Sequence, residues 1–356
     1  MKIRSYYKFT SRDIRQVMKF CRDYHLEITK QSMGRTGSGP RGLGGEIDAF
    51  GPGKLNEIAV SKLLSTKRKK SCLVDNKIYS NYEVGMKTIP DIVGVRVNSR
   101  VRKPNIYVEV KKISESDQWL GVHIEQLNSI LRDSTIKPNE IFLVFGEVYF
   151  ADNNNKKQQD FLGAFLRSVL DDSSLSFRAF SQISSLRCNI RYVISIAQLQ
   201  EFGHEFVSGD IIPELDFRSA KGVFRTDGSL RKGLKVKSKL KGHGQLVALG
   251  LDGNKYKYGI FEADGFAHTI KKENSSRQYL YIAKETRISN EYFGEIALKR
   301  GQVISFNVRN KLSGLQGSQL KTKSDLWISR KKIDQLIRTG EIAESGKMLN
   351  ELSKII

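Results

Sequence analysis

The chain is poor in cysteine, in acidic residues and in long apolar runs, and each shortage removes a class of protein. Three cysteines, Cys21, Cys72 and Cys188, are scattered through 356 residues. They are odd in number and far apart, so neither a disulfide framework nor a zinc-binding spacing is present. No apolar stretch approaches the ~20 residues needed to span a bilayer as a helix. The start, Met1-Lys2-Ile3-Arg4-Ser5-Tyr6-Tyr7, lacks the apolar run of a secretory signal. These shortages lead to the expectation of an intracellular, cytoplasmic protein. No internal repeat is found. The glycine-dense stretch 34–45 lacks the Gly-Lys-Ser/Thr ending of a nucleotide-binding phosphate loop.

The shortage of acid has a counterpart. Lys and Arg number 60 against 38 Asp and Glu, a formal net charge of +22. Such an excess implies a polyanionic partner more readily than a small metabolite. No basic amphipathic helix with an aromatic face directs that charge to a membrane surface. Hydrophobic residues make up 39% of the chain, enough for real cores, and the length predicts two or three domains.

The rest is organised around two apolar runs, Ile89-Pro90-Asp91-Ile92-Val93-Gly94-Val95 and Ile106-Tyr107-Val108-Glu109-Val110-Lys111. Each reads as a strand of a buried sheet interrupted by charge. Side chains two apart on a strand share a face, so Glu109 and Lys111 project together, with Val108 and Val110 opposite. Charges within an apolar strand are costly unless they pair or hold a metal. A strand-end ion pair of Glu109 with Lys111 or Lys112 is the bland alternative.

Pro90-Asp91 followed by Glu109-Val110-Lys111 resembles the PD-(D/E)xK nuclease superfamily, which includes many restriction enzymes and junction resolvases. Glu57, within Gly53-Lys54-Leu55-Asn56-Glu57-Ile58-Ala59-Val60, matches the helical acidic residue many of these nucleases keep. Gln126, within Val122-His123-Ile124-Glu125-Gln126-Leu127, matches another recurrent position on the following helix. The resemblance covers about the first 215 residues. It implies a mixed α/β sheet flanked by helices, and Mg²⁺, with Mn²⁺ substituting, held by Asp91, Glu109 and Glu57. Lys111 would orient or deprotonate the attacking water, and Gln126 completes the catalytic set. Hydrolysing a phosphodiester needs an activated water, an electrophilic phosphorus and a stabilised leaving oxygen, which one or two Mg²⁺ ions supply. His123 is read as structural or phosphate-contacting rather than as an acid or base.

Around this core the residues predict a helix over 11–28 capped by Ser11, and a glycine-rich loop bearing Arg35 and Arg41 that either contacts DNA or is merely a flexible connection. They predict a helix from Lys54 to about Ser65, and a basic cluster, Lys67, Arg68 and Lys69, beside the site. A short strand is expected over 78–84, strands over 140–150 and 189–196, and a helix over 160–170. The nuclease domain is drawn as 1–218. A basic linker over 219–244 carries Lys235, Lys237 and Lys239 and is expected to lie along nucleic acid.

Residues 245–322 read as a small β-barrel. Tyr256-Lys257-Tyr258-Gly259-Ile260-Phe261 with Asp264-Gly265 looks like the first nucleic-acid motif of cold-shock-type OB barrels, and Tyr279-Leu280-Tyr281-Ile282 falls where the second would. Stacking of bases is expected on Tyr256, Tyr258, Phe261 and Tyr281. The tyrosines could equally pack in the barrel core. A tail over 323–356 reads as two helices, for packing or dimerisation.

The expectation is a Mg²⁺-dependent endonuclease cutting duplex DNA, of restriction or phage-defence type, with a single strand held at the barrel. Two copies are expected, because one active site cuts one strand. A structure-selective resolvase and a non-catalytic single-strand binder remain the alternatives.

Overall fold

The computed structural model describes residues 5–29, 43–65, 70–77, 89–115, 117–133, 136–150, 186–207, 211–212, 216–219, 234–249, 255–272, 278–282, 285–290, 292–299, 302–306, 319–320 and 324–356. In chain order the elements begin with β1 (Tyr6–Lys8), α1 (Ser11–Thr29), α2 (Leu43–Ser65), β2 (Lys70–Val74), β3 (Ile92–Val97), β4 (Arg100–Arg102) and β5 (Tyr107–Lys112). Next come β6 (Trp119–His123), α3 (Ile124–Asp133), β7 (Ile141–Phe150), β8 (Leu186–Ser195), α4 (Ile196–Phe202), β9 (His204–Phe206), β10 (Ile211–Ile212) and β11 (Asp216–Ser219). The last are β12 (Leu234–Leu249), β13 (Lys255–Lys272), β14 (Gln278–Ile282), β15 (Thr286–Asn290), β16 (Gly294–Leu298), β17 (Gln302–Phe306), β18 (Gln319–Leu320), β19 (Asp325–Ser329), α5 (Arg330–Thr339) and α6 (Ser345–Ile355). The protein is a mixed α/β chain with six α-helices among the described residues. No helix of the described residues is long and apolar enough to cross a membrane.

The chain divides into two compact units, and neither is one continuous segment. The first holds residues 1–117, 126–198 and 343–356; the second holds 118–125 and 199–342. The partition therefore differs from the sequence-based boundaries at 218, 244 and 322. The end of the expected tail belongs with the nuclease-like segment, and a short piece of that segment belongs with the second unit.

The first unit is built on a mixed sheet in the order β1-β8-β7-β5. β5 and β7 run parallel, with Glu109 opposite Leu143 and Lys111 opposite Phe145, while β8 returns antiparallel. Ile141-Phe142-Leu143-Val144-Phe145 is buried throughout. A strand covered on both faces reads as an unbroken apolar run, which is why it was legible in sequence. One core packs Val108, Phe142, Val144 and Ile190 against Leu55, Ile58, Ala59 and Leu63 of α2 and Leu349, Leu352 and Ile356 at the end of the chain.

Several sequence expectations shift here. α2 begins at Leu43, eleven residues before Lys54, and runs through Pro52. Proline removes one helical donor, yet the added turns bury Ile47 to 1% exposure, and that burial favours continuing the helix. The cap of α1 is Thr10, not Ser11: its Oγ1 accepts from Asp13 N–H at 3.3 Å while Asp13 Oδ2 accepts from Thr10 N–H at 2.8 Å. Asp91 precedes β3, and β3 joins β2 and β4 in a separate three-stranded sheet instead of lying beside β5 in the main one. Strand 78–84, helix 160–170 and most of the glycine-rich loop lie outside the described residues.

In the second unit β19 pairs with β6 and β9, so the segment expected to open a helical tail opens with a strand instead. A seven-stranded sheet runs β11-β17-β14-β13-β15-β16, with β12 also paired to β13. The expected linker is thus partly a sheet strand. Its lysines recur every second residue from Lys235 to Lys241, which is strand periodicity. β13 does not stop at Asp264-Gly265 but continues to Lys272, the two residues falling at a register shift in the ladder with β12. A bulge absorbs a turn-like pair without ending a strand. Among the described strands no ladder closes this sheet into a barrel.

Asn56 locks α2 onto the sheet. Its Nδ2 donates to the Gly146 carbonyl at 3.0 Å and its Oδ1 accepts from Cys188 Sγ at 2.9 Å, with the side chain fully buried. A Cβ on Gly146 would stand 2.5 Å from Asn56 Oδ1. Gly146→Ala is expected to destabilise the protein by about 1–3 kcal/mol through overpacking. Leu352→Ala, at a residue with no exposure, is expected to cost about 2–5 kcal/mol. Urea unfolding of the two variants against wild type measures both; a change under about 0.5 kcal/mol in either would contradict the packing described.

Candidate active site

β5 carries Glu109 into the interior, where the residue is 8% exposed. Three neighbours hold it. Lys111 Nζ donates to Glu109 Oε1 at 2.7 Å and Gln126 Nε2 donates to the same oxygen at 2.8 Å. Tyr107 OH reaches Oε2 at a long 3.4 Å and Ile89 O at 3.2 Å. Gln126 Oε1 in turn accepts from Lys111 Nζ at 3.3 Å, closing a triangle of Glu109, Lys111 and Gln126. The period-two reading of β5 is right: Glu109 and Lys111 meet, while Val108 packs in the core opposite.

Asp91, the residue just before β3, reaches β5. Its N–H donates to the Val108 carbonyl at 3.1 Å, and its Oδ2 accepts the Val110 N–H at 2.6 Å. Two backbone-directed bonds therefore fix a carboxylate against the middle of the β5 strand. Glu57 comes from α2, three residues after Lys54, on the same helical face. Lys54 Nζ donates to Glu57 Oε2 at 2.6 Å and to the Asp75 carbonyl at 2.5 Å.

The electrostatics join the three carboxyl groups. Burial pushes the Glu57 carboxyl up to about 7, outweighing the opposing pull of Lys54, and Glu109 and Asp75 push it further the same way. Burial also raises Asp91 well above the carboxylate range; Glu109 and Glu57 add to the rise, and the Val110 N–H and Lys111 oppose it. For Lys111, burial pulls downward but the Glu109 contact and charge win, so its ammonium form is favoured. Burial and the charges of Glu109 and Asp91 raise the Tyr107 phenol, keeping it protonated as a donor.

Three carboxyl groups face two ammonium groups, so when all are ionised one negative charge is uncompensated. Among the described residues no group of three or more His, Cys, Asp or Glu side chains is placed to hold a metal ion, so Glu57, Asp91 and Glu109 do not form the expected three-carboxylate set. Mg²⁺ does not require one, since it takes one or two protein carboxylates and completes its shell with water and phosphate. Asp91 Oδ1 and Glu57 Oε1 accept no hydrogen bond from any described residue.

Of the sequence-predicted site residues, Glu57, Asp91, Glu109, Lys111 and Gln126 are all in the first unit, and hydrogen bonds and mutual charge effects link them. Lys54 and Tyr107 were missed. Lys54 stood in the same helical motif, three residues before Glu57, which was the signal available. Arg35, Arg41, Lys67, Arg68 and Lys69 lie outside the described residues. In the second unit Lys235 is opposite Lys271, Lys239 opposite His268, Tyr256 opposite Ala248 and Phe261 opposite Gly244. Lys237 and Tyr258 fall at ladder irregularities. Tyr281 is opposite both His268 and Val303, and Val303 is opposite Arg218. One register row across five strands thus reads Lys239, His268, Tyr281, Val303, Arg218. His123, read as structural, pairs through Nδ1 with the fully buried Asp325 of the second unit.

The raised Glu57 carboxyl makes stability depend on pH. The folded protein holds this proton more tightly than the unfolded chain, so the contribution is whole below the ordinary carboxylate range and is lost as pH rises through about 7. In EDTA, wild type is expected to lose more unfolding free energy than Glu57→Gln between about pH 5 and about pH 8. Denaturant titrations across that window check it, and parallel pH profiles would refute the assigned burial.

No known family model, curated protein or solved structure matches the chain.

Proposed function

We propose that the first unit is a Mg²⁺-dependent endonuclease that hydrolyses DNA phosphodiester bonds, with a restriction-endonuclease-like core. The observation that carries this reading is the convergence of Asp91, Glu109, Lys111 and Gln126 on β5, with Asp91 and Glu109 proposed as the carboxylates for the ion. A bound Mg²⁺, or Mn²⁺ in its place, supplies Lewis acidity at a phosphoryl oxygen and acidifies a coordinated water.

The protein's own groups do the remainder. Asp91 is oriented by the Val110 N–H, and its Oδ1 is available to a cation. Glu109 is aimed by Gln126 and Lys111 together. Lys111, whose side chain is 29% exposed, can reach toward solvent while its stem stays packed. It holds the attacking water and offsets charge developing on the phosphorane-like transition state. The surplus negative charge of the buried cluster favours a divalent cation over an empty site.

The chain's net charge of +22 supports a polyanionic substrate. The register row Lys239, His268, Tyr281, Val303, Arg218 brings basic and aromatic residue types together in one sheet, a composition that suits single-strand binding. Restriction or phage defence, a homodimer and a cytoplasmic location complete the proposal. A resolvase-like enzyme would differ by cutting junctions or flaps while sparing linear duplex.

Purified protein is expected to cut plasmid DNA with Mg²⁺ or Mn²⁺ and not with EDTA. Asp91→Ala is expected to abolish cutting, and Lys111→Ala to slow it by about 10²–10⁴-fold. Equal cutting by wild type and variants overturns the assignment. Tight, salt-sensitive strand binding with no cleavage of plasmid, junction or flap would identify a non-catalytic binder instead.

A further inference from the structure

The Lys54 ammonium is held on three sides. Glu57 Oε2 stands 2.6 Å away, the Asp75 carbonyl 2.5 Å, and the Phe20 ring centroid 4.7 Å. Its side chain is 11% exposed and that of Glu57 12%. A lysine on an open surface loses its ion pair readily to water and rotamer entropy. This one cannot swing away without leaving a buried carboxylate and a carbonyl unpaired. Its helix is also fixed in rotation, because Asn56, between Lys54 and Glu57, is bonded to Gly146 and Cys188.

We propose that Lys54 is a built-in cation occupying the place beside Glu57 that a second metal ion would take, so that each chain binds one divalent ion, at Asp91 and Glu109. The proposal rests on the metal-dependent reading above. Glu57 then serves as the anchor of Lys54 and not as a metal ligand. Lys54 is a positioning residue: it touches neither substrate nor ion, and it sets the number of ions by occupying a carboxylate. Lys54 neutralises Glu57 and Lys111 neutralises Glu109, so the ionised cluster carries one negative charge, which one divalent ion turns to +1 and a second would turn to +3. A second divalent ion beside a buried ammonium would bring uncompensated positive charge into the interior.

Mn²⁺ titration of the full chain by calorimetry, with free Mn²⁺ followed by paramagnetic resonance, tests this without reference to activity. Wild type is expected to bind one Mn²⁺ per chain, Lys54→Arg one, and Lys54→Gln two. Glu57→Gln is expected to keep one ion with affinity within about threefold of wild type, whereas loss of a true ligand or its orienting partner costs about 10–100-fold. Two ions on wild type, one on Lys54→Gln, or a tenfold loss in Glu57→Gln each overturns the proposal. Thermal melting without metal accompanies each variant. Should Lys54→Gln fail to fold, the wild-type count and the Glu57→Gln affinity still decide. No Mn²⁺ on wild type fells the metal-dependent reading itself, while one ion on both wild type and Lys54→Gln fells only the role given to Lys54.

Discussion

The first unit depends on keeping the Glu109 carboxyl oxygens hydrogen-bonded inside an apolar sheet. β5 is flanked by β7, whose facing residues are Leu143, Val144 and Phe145, and an ion in that setting is unfavourable unless its oxygens are occupied. Lys111 and Gln126 converge on one oxygen and Tyr107 approaches the other. Placement of α3 and of the segment before β3 answers to this need: the first delivers Gln126, and the second delivers Asp91 to the Val110 N–H. Once Glu109 is fixed, the geometry around it is fixed as well.

The helix carrying Glu57 is held with similar strictness. Asn56 and the missing Cβ of Gly146 form a lock between helix and sheet, and a residue one step along the helix inherits that precision. Lys54 is carried by the same locked turn. A pair of residues that looks like an ordinary i,i+3 surface salt bridge in sequence is therefore buried, and burial turns a contact worth little in water into a firm constraint. The carboxyl groups lie close enough to raise one another's proton affinity. That mutual strain is what a divalent cation would relieve.

The second unit follows different physics. Its long strands β12 and β13 pair antiparallel over most of their length. The row from Lys239 to Arg218 is drawn from five strands far apart in sequence. A separate aromatic cluster of Trp119, Phe206, Tyr292 and Phe293 packs the three-stranded sheet of β6, β19 and β9, with ring centroids 5.3–5.9 Å from Trp119.

By itself the sequence determined the strands β5, β7 and β8, the helices α1 and α3, and the pairing of Glu109 with Lys111. These follow from local periodicity: an apolar run buried on both faces, an amphipathic stripe, and a two-residue repeat. It also determined the positive charge, on which the proposed polyanionic partner rests. Only the tertiary structure decided that Asp91 reaches β5 from just before β3, that Lys54 grips Glu57, that the last helix completes the first core, and that the basic segment 234–241 is a strand. Each of those depends on which distant backbone or side chain stands opposite, and opposition across a sheet or between helix and sheet leaves no trace in local spacing. The Asp264-Gly265 pair is a case where turn-like local chemistry was outweighed by long-range pairing.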